Sequence, residues 1–354
     1  MSTNPQTGRH RQIVEARALF ERVLNGDLRA RADVMETMTT SDFPYLLGAA
    51  YGRELLQEYS GIAPVWPGFA RRSTVADFKE KTLVELLGGR AGLNKVKEGA
   101  EYKARSVKEN KYSFKVEKYG DRIPLTWEML VNDELDAFRD LPTRLATAAR
   151  ETEDITAASV LFNAAGSGLN TTFFAAGNGN APGTAKLSEA ALEAALLNIS
   201  TRKDTDGRPI VISGGVLMVP PALEMTGRRI LNAREIRRTV DGVTSIEDNY
   251  LSGTVRLLVN PWLSVVHTGA NAATTWFVLP DPSSTRPAVV AAFLRGHEAP
   301  DLRVKADAGN RVGGGPVAPE EGSFDDDTIQ YRVRHVNGAG TVIPTGTYAS
   351  TGSA

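Results

Sequence analysis

The sequence predicts an α+β protein in which a charged two-stranded arm and a long helix precede an α/β module. Three observations predict it. Residues 111–118 read Lys-Tyr-Ser-Phe-Lys-Val-Glu-Lys, so Tyr112, Phe114 and Val116 fall on one strand face and mostly charged residues on the other. Residues 130–162 carry small and apolar side chains at helical spacing. From residue 187 onward, helical patterns alternate with short apolar runs separated by turn residues.

Taken in order, residues 12–31 place Ile13, Ala16, Phe20, Val23 and Leu24 at three- and four-residue steps, which predicts a helix. Its arginines, with Arg9, Arg11, Arg17, Arg22, Arg29 and Arg31 in and around it, outnumber Glu15, Glu21 and Asp27, as on a solvated amphipathic helix. Residues 42–60 predict a second helix. Pro64 and Pro67 break residues 61–72, which read as an extended connector with Trp66 buried at a contact. The arm is read as residues 96–125, with Lys108 and Lys111 near its tip. An isolated hairpin is marginal in water, so a neighbouring subunit is expected to supply the missing contacts.

In the long helix, Leu141, Leu145, Ala148, Ala149, Thr152, Ile155, Ser159 and Phe162 are assigned to one face. Pro142 is tolerated near a helix start, so regular helix is expected from Leu141 onward. Ala146, Ala148 and Ala149 are small enough to let that helix lie close to a sheet. Residues 164–183, rich in Gly, Asn, Ala and Thr, read as loop. Ser188 caps a helix over 187–201. Residues 210–219 form a buried strand, and Pro220-Pro221 open the next helix. Runs 255–259, 276–279 and 289–294 are further strands of one central sheet. Residues 309–324, around Gly313-Gly314-Gly315-Pro316, read as a flexible stretch. Ile329, Tyr331 and Val333 then alternate with Gln330, Arg332 and Arg334, which predicts a strand with His335 packed on its apolar face.

Composition narrows the function. At 354 residues the chain is long enough for about two domains and a large core. The net charge of −1 gives no global case for a nucleic-acid binder. With no cysteine there is no disulfide, no thiolate metal site and no cysteine nucleophile. The first eleven residues lack the apolar core of a signal peptide and no apolar run spans a bilayer, so assembly in a cytoplasm is expected. His10, His267, His297 and His335 show no metal-ligand spacing. No G-x-S-x-G elbow or phosphate loop occurs, and Gly177 and Gly179 lack the strand-to-helix context of a dinucleotide fingerprint. Asp325-Asp326-Asp327 reads as a solvated acidic triplet. No enzyme, cofactor or metal site is therefore expected. An α/β enzyme whose catalytic residues meet only in space is the rival class, and a monomer with turnover would mark it.

Several segments together carry a family resemblance. Glu101-Tyr102 is followed by Lys118-Tyr119-Gly120, then by Ile123-Pro124-Leu125-Thr126-Trp127-Glu128 and Asp133-Glu134. Later come Val216-Leu217-Met218-Val219-Pro220-Pro221-Ala222-Leu223-Glu224 and Trp276-Phe277-Val278-Leu279-Pro280-Asp281-Pro282, then Phe293-Leu294-Arg295-Gly296 and Pro300. In order and spacing these resemble tailed-bacteriophage major capsid proteins over roughly residues 65–345. The resemblance implies the HK-ninety-seven-type phage major capsid fold. Its parts would be an N-terminal helical arm and connector (1–72), the start of a peripheral domain (73–95), an extended β-hairpin loop (96–125) and a peripheral domain with a long spine helix (126–186). An α/β axial domain (187–304) and a return to the peripheral domain with a C-terminal tail (305–354) would follow.

The implied function is a structural protein that self-assembles as hexamers and pentamers into the icosahedral shell around the double-stranded DNA genome of a tailed phage. Its place would be the virion capsid, assembled in the host bacterial cytoplasm. Implied partners are other copies of the chain, a portal protein, a scaffolding protein, a decoration protein and loosely held packaged DNA, with no membrane. The alternative is an encapsulin-like nanocompartment shell holding enzyme cargo. Inter-subunit contact candidates are Glu101, Tyr102, Lys103, Lys108, Lys111, Lys115, Lys118, Arg122 and Trp66. Arg11, Arg17 and Arg22 are candidates for the inner surface, where the family's N-terminal arm runs. Some members weld subunits by a lysine–asparagine isopeptide bond helped by a glutamate. Lys108 and Lys111 near the loop tip, Asn337 near the returning strand and Glu128 at the loop base do not align residue by residue with that set, and ordinary surface lysines are the expected reading.

Roughly 13 residues per strand at about 3.3 Å each give the arm a reach of about 40 Å, enough to cross a neighbour. Its mixed charges keep the free arm soluble and guard its edges, and on assembly they set register through complementary pairs. Reversing Lys115 and Lys118 together to Glu is therefore expected to lower particle yield more than it lowers the melting temperature of the unassembled chain. Particle yield by sedimentation, set beside thermal unfolding, checks it.

Overall fold

A computed structural model describes residues 43–87, 98, 108–126, 141–203, 209, 214–240, 243–305 and 328–353. Helix α1 (Phe43–Gly61) leads through a 3-10 turn at Trp66–Gly68 into β1 (Ala70–Val75). Strands β2 (Lys81–Leu87), β3 (Lys108–Phe114), β4 (Glu117–Tyr119) and β5 (Arg122–Thr126) follow, then helix α2 (Leu141–Ser159) and helix α3 (Glu189–Ser200). Next come β6 (Gly215–Val219), helix α4 (Glu224–Asn232), β7 (Glu235–Val240), β8 (Val243–Asp248), β9 (Arg256–Val259) and the one-turn helix α5 (Leu263–Val266). Strands β10 (Trp276–Pro280), β11 (Val289–Leu294), β12 (Asp301–Val304), β13 (Thr328–Thr341) and β14 (Tyr348–Ser350) complete the chain. Among the described residues no helix is long and apolar enough to cross a membrane.

The chain divides into two compact units. The first takes residues up to Gln57, Gly120–Leu145 and Asp301–Val333. In it β5 pairs antiparallel with β13 from Thr328 to Arg332, and the Lys305 N–H donates to the Gln330 carbonyl beyond the end of β12. Tyr331 is buried at 3% exposure, as the alternation predicts.

The second unit takes Glu58–Tyr119, Ala146–Pro300 and Arg334–Ala354. Strand β11 sits between β1, parallel to it, and the later half of β13, antiparallel to it, with β4 on the far side of β13. A four-stranded sheet in the order β14-β10-β6-β9 is the other layer. Successive residues of a strand face opposite ways, and both sheets use both faces. Phe277 and Leu279 of β10 join Val289, Ala291 and Phe293 of β11 in one core, together with Ala157, Ala158 and Leu161. Trp276 and Val278 face a second core with Leu192, Ala195 and Ile199 of α3 and Ile230 and Leu231 of α4. Val290, Ala292 and Leu294 face a third, with Phe114, Val116 and Val336. Ser188 caps α3 as expected, accepting from the Ala191 N–H at 3.2 Å.

Four expectations change. The single central sheet expected over 187–304 is split, because strand 289–294 pairs with β1 and β13 and not with β10 or β6. The end of the expected C-terminal tail is a sheet strand, with Trp276 opposite Ser350. The connector expected over 61–72 contains a 3-10 turn, then the start of a strand that long-range pairing with β11 creates. The buried face of α2 runs through Leu145, Ala146, Ala149, Glu153, Asp154, Ala157 and Ala158, and Ala148 is exposed. Two carboxylates thus occupy a stripe expected to be apolar.

The alternation at 111–118 holds in facing but not in continuity. Phe114 and Val116 are 4% and 2% exposed, yet the strand breaks at 115–116. There the chain crosses β13 so closely that a Cβ on Gly338 would collide with the Lys115 carbonyl oxygen, and one on Gly340 would press on the Phe114 side chain. Only glycine permits that crossing. The residue Gly338→Ala would place a methyl against backbone, and is expected to cost roughly 1–3 kcal/mol. Denaturant unfolding of the two proteins checks it.

Candidate assembly arm and its buried anchor

The arm is a two-stranded antiparallel sheet, β2 against β3, running from Lys81 opposite Phe114 to Leu87 opposite Lys108. The partner strand therefore begins at Lys81, ahead of the expected 96–125 boundary. Lys111 lies mid-strand opposite Val84, away from any tip, and Lys108 lies at the end where the pairing stops. Leu83 and Tyr112 pack partly against the third core, whereas Val84 at 48% and the nearby Phe78 at 53% are exposed.

The arm's inner face holds a buried ion pair. Glu85 and Arg286 stand 3.5 Å apart with side chains 7% and 6% exposed, and the Tyr112 hydroxyl donates to the other Glu85 oxygen at 3.1 Å. Burial, reinforced by the Glu85 charge, pushes the Tyr112 phenol up to about 12, so it remains a donor. Outside, Lys111, Lys115 and Lys118 are exposed. Lys115 pairs with Glu117 at 2.8 Å, but both are more than half exposed, and such pairs add little to stability. In the other unit, Arg122 is exposed and donates to the Gln330 side chain at 3.1 Å.

The second feature is a buried polar cluster around the adjacent carboxylates Glu153 and Asp154. Glu153 receives the Tyr59 hydroxyl at 2.5 Å, the Trp66 indole N–H at 2.8 Å and Arg150 at 3.1 Å, and lies 3.0 Å from His335 Nε2. Asp154 accepts from the backbone N–H groups of Val65 at 2.9 Å and Trp66 at 2.7 Å, and from the Trp262 indole at 3.2 Å. The Arg150 guanidinium lies over the Tyr59 ring at 3.6 Å and donates to the Tyr59 carbonyl.

Burial alone would raise Glu153, but hydrogen bonds from His335, Tyr59 and Trp66 outweigh it and hold the group below its ordinary value. Asp154 goes the other way: burial holds it above its ordinary value despite the Val65 and Trp66 N–H groups. Burial, then the Glu153 charge, raises the Tyr59 phenol. These groups bond chiefly to one another and to the neighbouring backbone, so the cluster is an anchor. Among the described residues no group of three or more metal-ligating acids and histidines occurs.

The remaining candidates fall as follows. Trp66, expected at a contact, is 5% exposed and spends its indole N–H on Glu153, which leaves little of it for a neighbouring chain. Asn337, weighed as a cross-link acceptor, is 2% exposed between β11 and β4. His267 is a packed histidine, stacked on Phe162 with its Nδ1 2.9 Å from the Gly166 carbonyl. Glu101, Tyr102, Lys103, Glu128, Arg11, Arg17, Arg22, His10 and Asp325-Asp326-Asp327 lie outside the described residues. Sequence reasoning missed Tyr59, Arg150, Glu153 and Asp154. The available signal was Glu153 and Ala157 continuing the Ala146–Ala149 spacing, with Arg150 one turn before Glu153.

With this geometry in place, residues 109–350 match the sequence model of a family described as phage capsid protein. The fold is also similar to solved structures. For one from Gordonia phage Cozz the TM-score is 0.48 at 15% identity, over 82% of this chain and 87% of that one. For the mature capsid of bacteriophage PhiM1 it is 0.47 at 12%, over 82% and 87%. For a virus-like particle from Pyrococcus furiosus it is 0.42 at 9%, over 85% and 97%. No curated protein matches the chain.

The anchor predicts a pH dependence. Glu153 is held below the ordinary carboxylate value of about 4.3, so its contribution is present above that value and is lost as pH falls through its lowered folded value. Asp154, held high, protonates earlier and contributes with the opposite sign. Glu153→Gln, which strips the charge from a buried pair, is expected to cost about 3–5 kcal/mol at pH 7. It is also expected to flatten the loss of thermal stability below about pH 4. Melting curves of both proteins from neutral to acid pH check both effects.

Proposed function

The chain belongs to the phage capsid protein family, and on that premise we propose that it tiles a closed icosahedral shell as rings of five and six copies around a double-stranded DNA genome. It is a structural capsid protein and not an enzyme. The family match over residues 109–350 is the observation that carries the reading. The arm supports it: β2 is pinned by the buried Glu85–Arg286 pair, and Val84 of β2 and the nearby Phe78 are exposed. One chain meeting itself through unlike surfaces closes into rings when the rotation fits. Each contact can stay weak because every subunit makes several at once.

In this reading the exposed Lys111, Lys115, Lys118 and Arg122 meet neighbouring copies, and Arg11, Arg17 and Arg22 face the interior. The portal, scaffolding and decoration proteins are its partners, and assembly takes place in the host cytoplasm. Negative-stain electron microscopy of the purified chain after size exclusion is the test. Closed shells tens of nanometres across, or free rings of five and six, are expected. A monomer at every protein and salt concentration would count against it, and shells filled with a protein cargo and no DNA would favour the nanocompartment.

A further inference from the structure

Strand β9 is an outer strand of the four-stranded sheet, with β6 on one side and no strand on the other among the described residues. The Asn260 N–H donates to the Val219 carbonyl of β6 at 2.9 Å. Strand alternation then turns the N–H groups of Leu258 and Arg256 toward β6, and those of Leu257 and Val259 away from it. A cleft of about 570 Å³ lies along this strand, walled on its other side by α4 and lined by both Leu257 and Leu258. The edge strand carries Leu257, Leu258 and Val259, all half-buried, and its surroundings are net positive: Arg228, Arg229 and Arg256 are exposed, with Arg228 paired to Glu224 of the same cleft at 2.8 Å and Arg256 donating to the Gly68 carbonyl at 2.8 Å.

The same module carries a second unpaired edge. Strands β7 and β8 form a two-stranded sheet of their own, so each has a free side among the described residues. Strand β7 includes Arg237 and Arg238, whereas β8 reads Val-Thr-Ser-Ile-Glu-Asp, with Ile246 58% exposed and Asp248 exposed. Charge therefore selects β8 over β7 as the match for the basic, apolar edge of β9. Six residues of β8 span about 20 Å, which covers the four of β9.

We propose that β8 of one copy adds as a fifth strand to the β9 edge of the next, in the cleft beside α4. An acceptor edge and a donor strand on one module are unlike surfaces, so the contact repeats head to tail and closes into a ring. Main-chain hydrogen bonds supply the join, and Ile246 is the exposed apolar side chain of β8 that would enter the cleft. The inference rests on the ring-forming reading above and names the contact that builds the ring.

The absence of cysteine makes a cross-linking test clean. Cysteine replaces Ile246 in combination with cysteine at each of residues 256 to 259 in turn, and assembled particles are oxidised and run on a non-reducing denaturing gel. At least one combination is expected to give a ladder ending at five or six copies, while the single-site variants stay at monomer mass. Particles that form normally but give monomer bands for every combination would overturn the β9 contact and leave the capsid reading standing. Failure of the unaltered chain to form any ring or shell would remove both. Val259→Pro deletes an outward N–H without touching the β6 ladder. It is expected to reduce ring yield at least tenfold while the unassembled chain keeps its folded circular-dichroism spectrum, and an unchanged yield would also overturn the contact.

Discussion

A carboxylate buried at 3% exposure must find its donors within the protein, and Glu153 takes them from four separate stretches of chain. Tyr59 comes from the end of α1, Trp66 from the following turn, Arg150 from the preceding turn of α2 and His335 from β13. Each donor is itself buried or half-buried, so none can leave without stranding another polar group. Asp154, the next residue, ties down the backbone of the same turn through Val65 and Trp66. Together the two side chains fix where α2 lies against the chain entering β1, and β1 in turn fixes the edge of the sheet it forms with β11.

The two sheets of this unit need that fixed edge because they share a core. Phe277 and Leu279 reach it from one sheet and Ala291 and Phe293 from the other, with Trp66 and Phe69 of the anchored turn among them. Trp66 serves both roles, tilted against Phe293 at 5.4 Å and bonded to Glu153 through its N–H. Polar specificity and apolar packing thus meet in one side chain. The third core joins the same arrangement to the arm, since Phe114 and Val116 pack there against Leu294 and Val336. This arm is seated by packing on one face and by the buried Glu85–Arg286 pair.

Much of the fold was legible from local pattern. Helices α1, α2 and α3 follow apolar periodicity and the Ser188 cap, and β6, β10 and β11 follow apolar runs bounded by turn residues. Strand β1 was not legible, because Ala70–Val75 carries two arginines, a serine and a threonine and is a strand only through its pairing with β11. Nor was the partner of β3, since antiparallel pairing with residues 81–87 spans a long excursion that no residue in either strand encodes. The anchor was hidden for a different reason. Two adjacent acids in a helix read as solvated surface, and their burial becomes affordable only when distant donors arrive.

By itself the sequence determined the types of the strongly periodic elements, the absence of disulfide and thiolate chemistry, the facing of Tyr112, Phe114 and Val116, and the resemblance that the family match then established. Those features depend on composition and on spacings of two to four residues, which a linear pattern records. The tertiary structure alone decided which strands share a sheet, which glycines admit a crossing chain, and that Tyr59, Trp66, Arg150 and His335 converge on one carboxylate. Such pairings bring together groups as far apart in sequence as Ala70 and Val289, and their energy exists only once the intervening chain has closed on itself.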